Sequence, residues 1–182
     1  MIRTGHVFLA KKMLRITLEK LKKEHLPSLM EIESVSFGKY HWSEKSFMSE
    51  IDNKLSNYYV YTDETGKVIS YCGFWNILGE GHITTFAVRD EFRGQKIAEQ
   101  MMLFIIEKAV ELGIKWFTLE VRVTNIPAIN LYKKYGFETN GVREKYYQDN
   151  DEDALIMWTP DLQSDKFKLL LQQNKKILEA LN

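Results

Sequence analysis

Residues 85–98, TFAVRDEFRGQKIA, have types and a spacing that suit the binding of a phosphate group. An apolar strand runs into a short basic turn, which leads directly into a long amphipathic helix. Amide groups in the first turn of a helix lack intrahelical partners and lie at the positive end of the helix dipole, so they bind anions. Gly94 lets the backbone approach a ligand closely, and Arg93 and Lys96 add positive charge. We predict a site for a nucleotide-like cofactor here, with an ordinary exposed basic loop as the alternative.

A second group of polar residues follows in the next strand and helix. Side chains alternate along the strand KWFTLEVR, residues 115–122, so Glu120 lies off the apolar face. Asn125 is a good N-cap for the next helix, whose first turn tolerates Pro127, and Tyr132 projects from its second turn. Taken one at a time, these residues are equally consistent with a solvated carboxylate and a core tyrosine.

The composition limits the classes of protein that remain. The 182 residues, 45% of them hydrophobic, suffice for one buried core. Lys and Arg number 25, as do Asp and Glu, so no overall field recruits nucleic acid or an anionic membrane. The single cysteine, Cys72, excludes an intrachain disulfide and fits a small buried side chain in a reducing cytoplasm. No stretch approaches the roughly 18 apolar residues of a membrane span, so we expect a soluble cytoplasmic protein, a monomer or weak homodimer.

Two further classes of site lack their sequence signatures. The four histidines are scattered, without i,i+4 pairing or cysteine partners, so no metal site is expected. No G-x-x-x-x-G-K-S/T segment occurs, which excludes a P-loop nucleotide site.

The elements that must position these residues alternate along the chain. The hydrophobic periodicity predicts, in order, a strand at 14–18, helices at 22–35 and 44–51, strands at 57–62, 68–77 and 82–89, a helix at 95–112, a strand at 115–122, a helix at 126–135, and strands at 137–147 and 153–159. The strand–helix–strand unit from 82 to 122 is expected to be a right-handed crossover with parallel strands.

The chain divides into three parts by pattern. We expect an N-terminal extension at 1–12, one domain at 13–160 and an amphipathic helical tail at 161–182. Four apolar residues form a stripe along the tail: Phe167, Leu171, Leu178 and Leu181. The stripe predicts docking of the tail on its own domain, with a partner interface as the alternative.

Four segments together resemble a known family. They are RGQKIA at 93–98, LEVRVTNIPAINLYKKYGF at 119–137, HWSEKSF at 41–47 and REKYYQDNDEDALIMW at 143–158. They are similar to the GNAT acetyltransferases and, within them, to the ribosomal-protein-alanine N-acetyltransferase (RimI-like) branch, over about residues 13–159. The resemblance implies the α/β GNAT fold: a mixed, mostly antiparallel sheet of about seven strands, with a central parallel βαβ unit and flanking helices.

The resemblance also implies acetyl-CoA as cosubstrate and assigns roles to individual residues. Glu120 would be the general base, Tyr132 the general acid, and Asn125 would hydrogen-bond the cofactor arm. The pantetheine arm and the pyrophosphate would meet one strand and the helix start after it, at Phe86, Ala87 and Val88 and at Arg93, Gly94, Gln95, Lys96, Ile97, Ala98 and Glu99. Lys96 departs from the family signature, which has glycine there. It would bind through its backbone N–H, with the side chain turned outward or toward a phosphate.

The chemistry of the residues agrees with these roles. An α-amino group with a pKa of about 8 is partly neutral at physiological pH, unlike lysine at about 10.4, so a modest base suffices. Glu120, acting through a water, would accept the proton, a contribution typically worth about 10² to 10⁴ in rate. Tyr132 would protonate the departing thiolate, and donors at 86–88 would polarise the thioester oxygen. Direct attack needs no covalent enzyme intermediate.

Recognition of the acceptor depends on two other segments. The residues His41 to Glu44 and the pair Tyr146 and Tyr147 match places where this branch contacts a peptide N-terminus, and tyrosines grip a backbone by ring and hydroxyl. In the alternative, Trp42 staples the following helix and the tyrosines pack across strands. The acidic cluster at 149–153 is interpreted as a solubilising turn, with attraction of a cationic amine as the alternative.

Three functions remain open from the sequence. The first is acetyl transfer to a protein N-terminal α-amine, such as the alanine of a small-subunit ribosomal protein. The second is acetylation of a small amine such as a polyamine or an aminoglycoside. The third is a non-catalytic, acyl-CoA-responsive interaction module that uses the tail helix as its docking surface.

Overall fold

The structure, a computed structural model, describes residues 3–9 and 12–180. The strands are β1 (Arg3–Leu9), β2 (Lys12–Lys20), β3 (Ser56–Thr62), β4 (Val68–Ile77), β5 (Glu80–Val88), β6 (Trp116–Arg122), β7 (Glu138–Tyr147) and β8 (Glu152–Trp158). The helices are α1 (Leu26–Phe37), α2 (Glu44–Asp52), α3 (Ile97–Glu111), α4 (Ile126–Lys134) and α5 (Asp165–Glu179).

The strands form one mixed sheet in the order β1-β2-β3-β4-β5-β6-β8-β7. Neighbouring strands run antiparallel except for β5 and β6, which run parallel, as the sequence predicts for the crossover through α3. The sheet has eight strands where about seven were expected. The additional strand is β1, which lies in the predicted N-terminal extension and pairs along its length with β2.

Helices cover both faces of the sheet. On one face α1 and α2 bury Leu29, Ile32 and Phe47 against β3 and β4. On the other face α3 and α4 bury a larger apolar cluster that includes Met101 and Ile105. The predicted mixed α/β architecture is therefore confirmed, with Cys72 fully buried in the larger cluster, as expected for a small apolar side chain.

The tail helix α5 packs on its own domain, which confirms the prediction of self-docking. Phe167 and Leu178 are buried, and Asn174 donates a hydrogen bond to the Lys134 carbonyl at 3.0 Å. The helix lies directly on Gly136, where a Cβ would come within 3.0 Å of the Phe167 ring. The predicted contact residue Leu181 lies outside the described residues.

Two helices begin later than predicted. Helix α1 begins at Leu26, after a 3-10 turn at Lys23–His25, and extends to Phe37. Helix α3 begins at Ile97 rather than at 95, because Lys96 has a left-handed backbone (φ 64°) that cannot continue a right-handed helix. Among the described residues, no helix is both long and apolar enough to cross a membrane.

Candidate active site

The parallel pairing of β5 and β6 is short, and this opens the sheet. Cα partners run only from Glu80 opposite Trp116 to His82 opposite Thr118, although both strands continue for several residues beyond. The register of β5 with β4 shifts at the same level, where Thr84 is the extra residue. A bulge of this kind bends a strand locally, so the edge of β5 beyond Ile83 carries backbone groups without a partner in β6.

A cavity of about 460 Å³ lies at this opening. Of the residues predicted to bind the cofactor, all but Gln95 line it: Phe86, Ala87, Val88, Arg93, Gly94, Lys96, Ile97, Ala98, Glu99 and Asn125. The side-chain amide of Gln95 instead donates to the Glu91 carbonyl at 2.8 Å. The structure thus brings together a strand edge, a turn and a helix start that are continuous in sequence.

The start of α3 fits a diphosphate. The first helical hydrogen bond runs from the Gln100 amide to the Lys96 carbonyl at 3.0 Å, which leaves the amides before it available to a ligand. Gly94 has φ 75°, and a Cβ built on it would meet no atom within 4 Å, so the turn presents open space to an incoming group. Free amides and a positive dipole end are the donor set that phosphate prefers.

One carboxylate stands in this otherwise basic wall. Glu99 is bound by the ammonium groups of Lys96, at 2.7 Å, and of Lys134. Burial raises the pKa of Glu99, but the hydrogen bonds from the two lysines outweigh it, so that the pKa lies below its ordinary value. The Tyr135 hydroxyl also donates to the Glu99 carbonyl at 3.0 Å, which ties the first turn of α3 to the end of α4.

Tyr132 lines the same cavity from helix α4. The helix is capped by Asn125, whose side chain accepts from the Ala128 amide at 3.3 Å, as the sequence predicts. Tyr132 is 8% exposed and packs on Phe137, with ring centroids 5.6 Å apart. Burial raises the pKa of the phenol well above its ordinary value, so the group keeps its proton at neutral pH.

Glu120 lies outside the residues that line the cavity. It sits on β6 on the face opposite to Phe117 and Leu119, as predicted, and its side chain is 28% exposed. The carboxylate is paired with Arg143 of β7, at 3.0 Å from the guanidinium. The Glu120 carboxylate is therefore partly exposed and has a cation as its partner.

Tyr147, at the end of β7, is partly buried, and its ring packs edge-on against Tyr146 with the centroids 5.1 Å apart. Burial raises its pKa to about 12; the Arg122 cation opposes this shift, while Tyr146 and the Glu120 charge add to it. Tyr147 in turn contributes to the raised pKa of Tyr132.

Arg122 holds the β7–β8 turn that carries Tyr147. Its guanidinium lies 3.8 Å above the Tyr147 ring and donates to Asp149 at 2.8 Å and to Glu152 at 2.9 Å. Glu152 also accepts from the Thr124 amide at 3.0 Å. Hydrogen bonds from Thr124 and Arg122 lower the pKa of Glu152 to about 2. The acidic cluster thus organises the turn, in agreement with the interpretation of the sequence.

The loop that bears His41 to Glu44 has structural contacts of its own. The Trp42 ring packs on Phe47, 5.4 Å between centroids, and Ser43 caps α2 by accepting from the Ser46 amide at 3.1 Å. The Tyr40 hydroxyl reaches the Gln148 carbonyl at 3.5 Å, so this loop and the β7–β8 turn approach each other. Trp42 therefore staples the helix, as in the alternative given from the sequence.

A buried carboxylate that the sequence analysis missed anchors this loop. Glu33 of α1 is fully buried and accepts from the Trp42 amide at 3.2 Å, the Tyr71 hydroxyl at 2.6 Å and the Thr85 hydroxyl at 3.4 Å. Burial raises the pKa of Glu33, against the effect of these hydrogen bonds. The signal was present, because Glu33 is spaced seven residues from Leu26 on the buried face of the helix.

Six further residues line the cavity without having been predicted: Ser36, Phe37, Phe92, Pro127, Ala128 and Leu131. Ala128 and Leu131 share the helical face of Tyr132 and could have been found from their spacing. Ser36 and Phe37 lie at the end of α1, far from the others in sequence, and only the packing of α1 brings them there. No cluster of three potential metal ligands occurs among the residues in the described ranges.

Comparison with known proteins gives the same family as the motifs. The Acetyltransferase (GNAT) family model matches residues 11–137. A Bacillus subtilis (strain 168) protein, whose name makes it a candidate ribosomal protein bS18-alanine N-acetyltransferase, is 36% identical over 79% of this chain and 95% of its own. An Escherichia coli (strain K12) ribosomal protein bS18-alanine N-acetyltransferase is 30% identical over 79% of this chain and 97% of its own.

Solved structures agree with the sequence comparisons. The crystal structure of the ribosomal-protein-S18-alanine N-acetyltransferase from Escherichia coli matches with a TM-score of 0.73 at 28% identity, over 83% of this chain and 97% of that chain. The open sheet, the cavity at the start of α3 and these matches lead to one conclusion: the chain belongs to the GNAT family of acetyl-CoA-dependent N-acetyltransferases.

Proposed function

We propose that this enzyme transfers the acetyl group of acetyl-CoA to the α-amino group of a protein N-terminus, with the N-terminal alanine of a small-subunit ribosomal protein as the preferred acceptor. The catalytic domain comprises residues 13–160, preceded by the extension 1–12 and followed by the tail 161–182. The observation that carries the proposal is the convergence of the β5 edge, the amides of α3 and the Tyr132 phenol on one cavity. The names of the relatives supply the acceptor.

The cosubstrate supplies an activated acetyl thioester, and the chain supplies its binding site. The backbone at Phe86, Ala87 and Val88 lines the cavity where β5 has separated from β6, so it can hydrogen-bond an extended amide-bearing arm as an added strand would. The amides from Gly94 onward face a diphosphate at the other end of the same cavity. The Asn125 side chain lies at the N-terminus of α4, where it can hydrogen-bond the arm between the strand edge and the helix start.

Two residues move protons in this proposal. Tyr132 keeps its proton at neutral pH and lines the cavity, so it can donate to a thiolate that leaves beside it. Glu120 is partly exposed on β6, so a water can carry a proton from the acceptor amine to its carboxylate. An α-amine needs only such a modest base, because its pKa of about 8 leaves part of it neutral at physiological pH.

In this proposal the acceptor binds beside the cavity, in a groove between two loops. Its walls are the segment from Tyr40 to Trp42 and the turn after Tyr147, which the Tyr40 contact with Gln148 brings together. Tyr146 is 42% exposed, so its ring is available to an extended backbone, whereas Arg122 covers one face of the half-buried Tyr147 ring. A groove between two loops suits a peptide end.

The test is acetyl transfer to a panel of peptides. Purified enzyme is incubated with acetyl-CoA and peptides that begin with alanine, serine or methionine, and the products are fragmented by mass spectrometry. We expect the acetyl group on the α-amine, with alanine preferred. Parallel reactions contain N-terminally blocked peptides with internal lysine, spermidine or an aminoglycoside. Preferential acetylation of any of these would contradict the proposed acceptor.

A further inference from the structure

Lys96 combines an unfavourable backbone with a position in the cofactor cavity. Its φ of 64° and ψ of 6° place it in the left-handed region, which residues with a side chain rarely adopt. The position is the one at which the family signature has glycine, and glycine adopts this conformation without cost. Lys96 can donate to a ligand through its backbone amide, as a glycine would. Its side chain is therefore an extra group at the site.

The Lys96 ammonium can leave its partner Glu99 without leaving that carboxylate unpaired. Its Nζ lies 2.7 Å from Glu99 Oε1, one turn further along α3. Glu99 is also bound by Lys134, so its carboxylate keeps a cation when Lys96 departs. The Lys96 side chain is 45% exposed and ends a flexible four-carbon stem.

The other cation of the turn is more firmly fixed. Arg93 pairs with Asp90 at 2.8 Å and donates from Nε to the Val88 carbonyl at 3.2 Å. Moving Arg93 would break two contacts, including one with the strand that lines the cavity. Of these two cations, Lys96 therefore loses fewer contacts when its side chain turns toward a ligand.

We propose that the Lys96 ammonium transfers from Glu99 to the diphosphate of coenzyme A when the cosubstrate binds, while Lys134 remains on Glu99. The exchange replaces one ion pair with another that has a doubly charged partner, so it adds binding free energy beyond the backbone amides. This inference rests on the proposed acetyl-CoA site and gives the side chain that replaces glycine a function there.

Binding calorimetry with coenzyme A tests the transfer without any turnover. Lys96→Met keeps the stem and removes the charge, and we expect the dissociation constant to rise about tenfold, the scale of one charge-assisted contact. The matched control is Lys108→Met, which removes the lysine of an equivalent i,i+3 pair with Glu111 at the far end of the same helix. We expect this control to bind like the wild type. Glu99→Gln should tighten binding, because it releases Lys96 in advance.

Dephospho-CoA, which lacks the 3′-phosphate, identifies the phosphate concerned. A loss in Lys96→Met that is equally large with this ligand supports the diphosphate. A loss that disappears would place the ammonium on the 3′-phosphate and overturn the proposal as stated.

Stability of the ligand-free protein separates a ligand contact from a structural role. Lys96→Gly removes the backbone strain, so its thermal midpoint should rise while its affinity for coenzyme A falls. Equal affinity in the wild type and Lys96→Met would overturn the inference alone. Failure of the wild type to bind coenzyme A at all would instead overturn the proposed function.

Discussion

The two walls of the active site are built in different ways. The cofactor wall comes mainly from one continuous stretch, Phe86 to Glu99, with α4 and the end of α1 beside it, and is proposed to bind through backbone groups of a strand edge and a helix start. The acceptor wall is assembled from the α1–α2 loop and the β7–β8 turn, and side chains hold both in place. Glu33 anchors the loop, and Arg122 clamps the turn. The cofactor wall therefore depends on conformation, and the acceptor wall depends on a network of charges.

The largest effect is expected at Tyr132, which lines the cofactor cavity. Tyr132→Phe removes the hydroxyl and keeps the ring that packs on Phe137, so kcat should fall by about 10² to 10⁴ while the affinity for acetyl-CoA stays close to that of the wild type. Steady-state kinetics and calorimetry measure the two quantities. Tyr59→Phe, another buried tyrosine, packed on Phe104 away from the cavity, serves as control and should keep full activity. Normal turnover in Tyr132→Phe would exclude the phenol as the general acid.

A smaller but selective effect is expected at Glu33, within the acceptor wall. Glu33→Gln presents an amide N–H in a site whose three contacts are all donors, so the free energy of unfolding should fall by about 1–3 kcal/mol. Loosening of the loop at Trp42 should raise KM for the peptide and leave the binding of acetyl-CoA unchanged. Denaturant titration and kinetics with both substrates test this.

Tyr71→Phe is a milder variant to compare with Glu33→Gln. It removes one donor to the Glu33 carboxylate and keeps the acceptor, so the free energy of unfolding should fall by only about 1 kcal/mol. An equal loss of affinity for both substrates in Glu33→Gln would show that the two walls are not independent.

The third effect belongs to the cofactor wall and is conformational. Gly94→Ala adds a Cβ that meets no neighbour, yet at φ 75° it should lower the free energy of unfolding by about 1–2 kcal/mol and weaken the binding of coenzyme A. Gly94→Asn, which tolerates the left-handed region better, should lose less of both. If the two variants behave identically, side-chain size rather than backbone conformation limits this wall.

The smallest effect is a dependence of stability on pH at the β7–β8 turn. The pKa of Glu152 is about 2 in the folded protein, below the value of about 4.3 in an unfolded chain. A carboxylate with a lowered pKa stabilises the fold fully above its unfolded pKa and loses this contribution as the pH falls toward its folded pKa. Glu152→Gln should therefore be less stable than the wild type at pH 7, and the difference should shrink between about pH 5 and pH 2. A difference that is constant with pH would exclude charge as its origin.

The same contrast explains how much the sequence could predict. The cofactor wall could be predicted because its parts are local in sequence. The alternation in β5, Gly94 in the turn and the periodicity of α3 appear in consecutive residues. All but one of the predicted cofactor residues line the cavity. The parallel β5–β6 pair followed from the handedness of crossovers and was confirmed.

The acceptor wall depends on contacts between distant residues, which periodicity does not encode. Arg122 meets Asp149 across 27 positions, and Glu33 meets Thr85 across 52. Ser36 reaches the cavity only because α1 packs across the sheet. The pairing of Glu120 with Arg143 was likewise missed, since it crosses from β6 to β7 over the intervening strand β8. The catalytic roles of Glu120 and Tyr132 stay predictions.

The docking of α5 on Gly136 has a consequence for how this chain is made. Phe167 and Leu178 complete a core whose other members are synthesised earlier, and Gly136 is covered only when α5 arrives. A chain still attached to the ribosome keeps its most recent residues inside the exit tunnel, and domains generally fold as units. The core around Gly136 therefore closes only once α5 has been synthesised and has emerged from the ribosome.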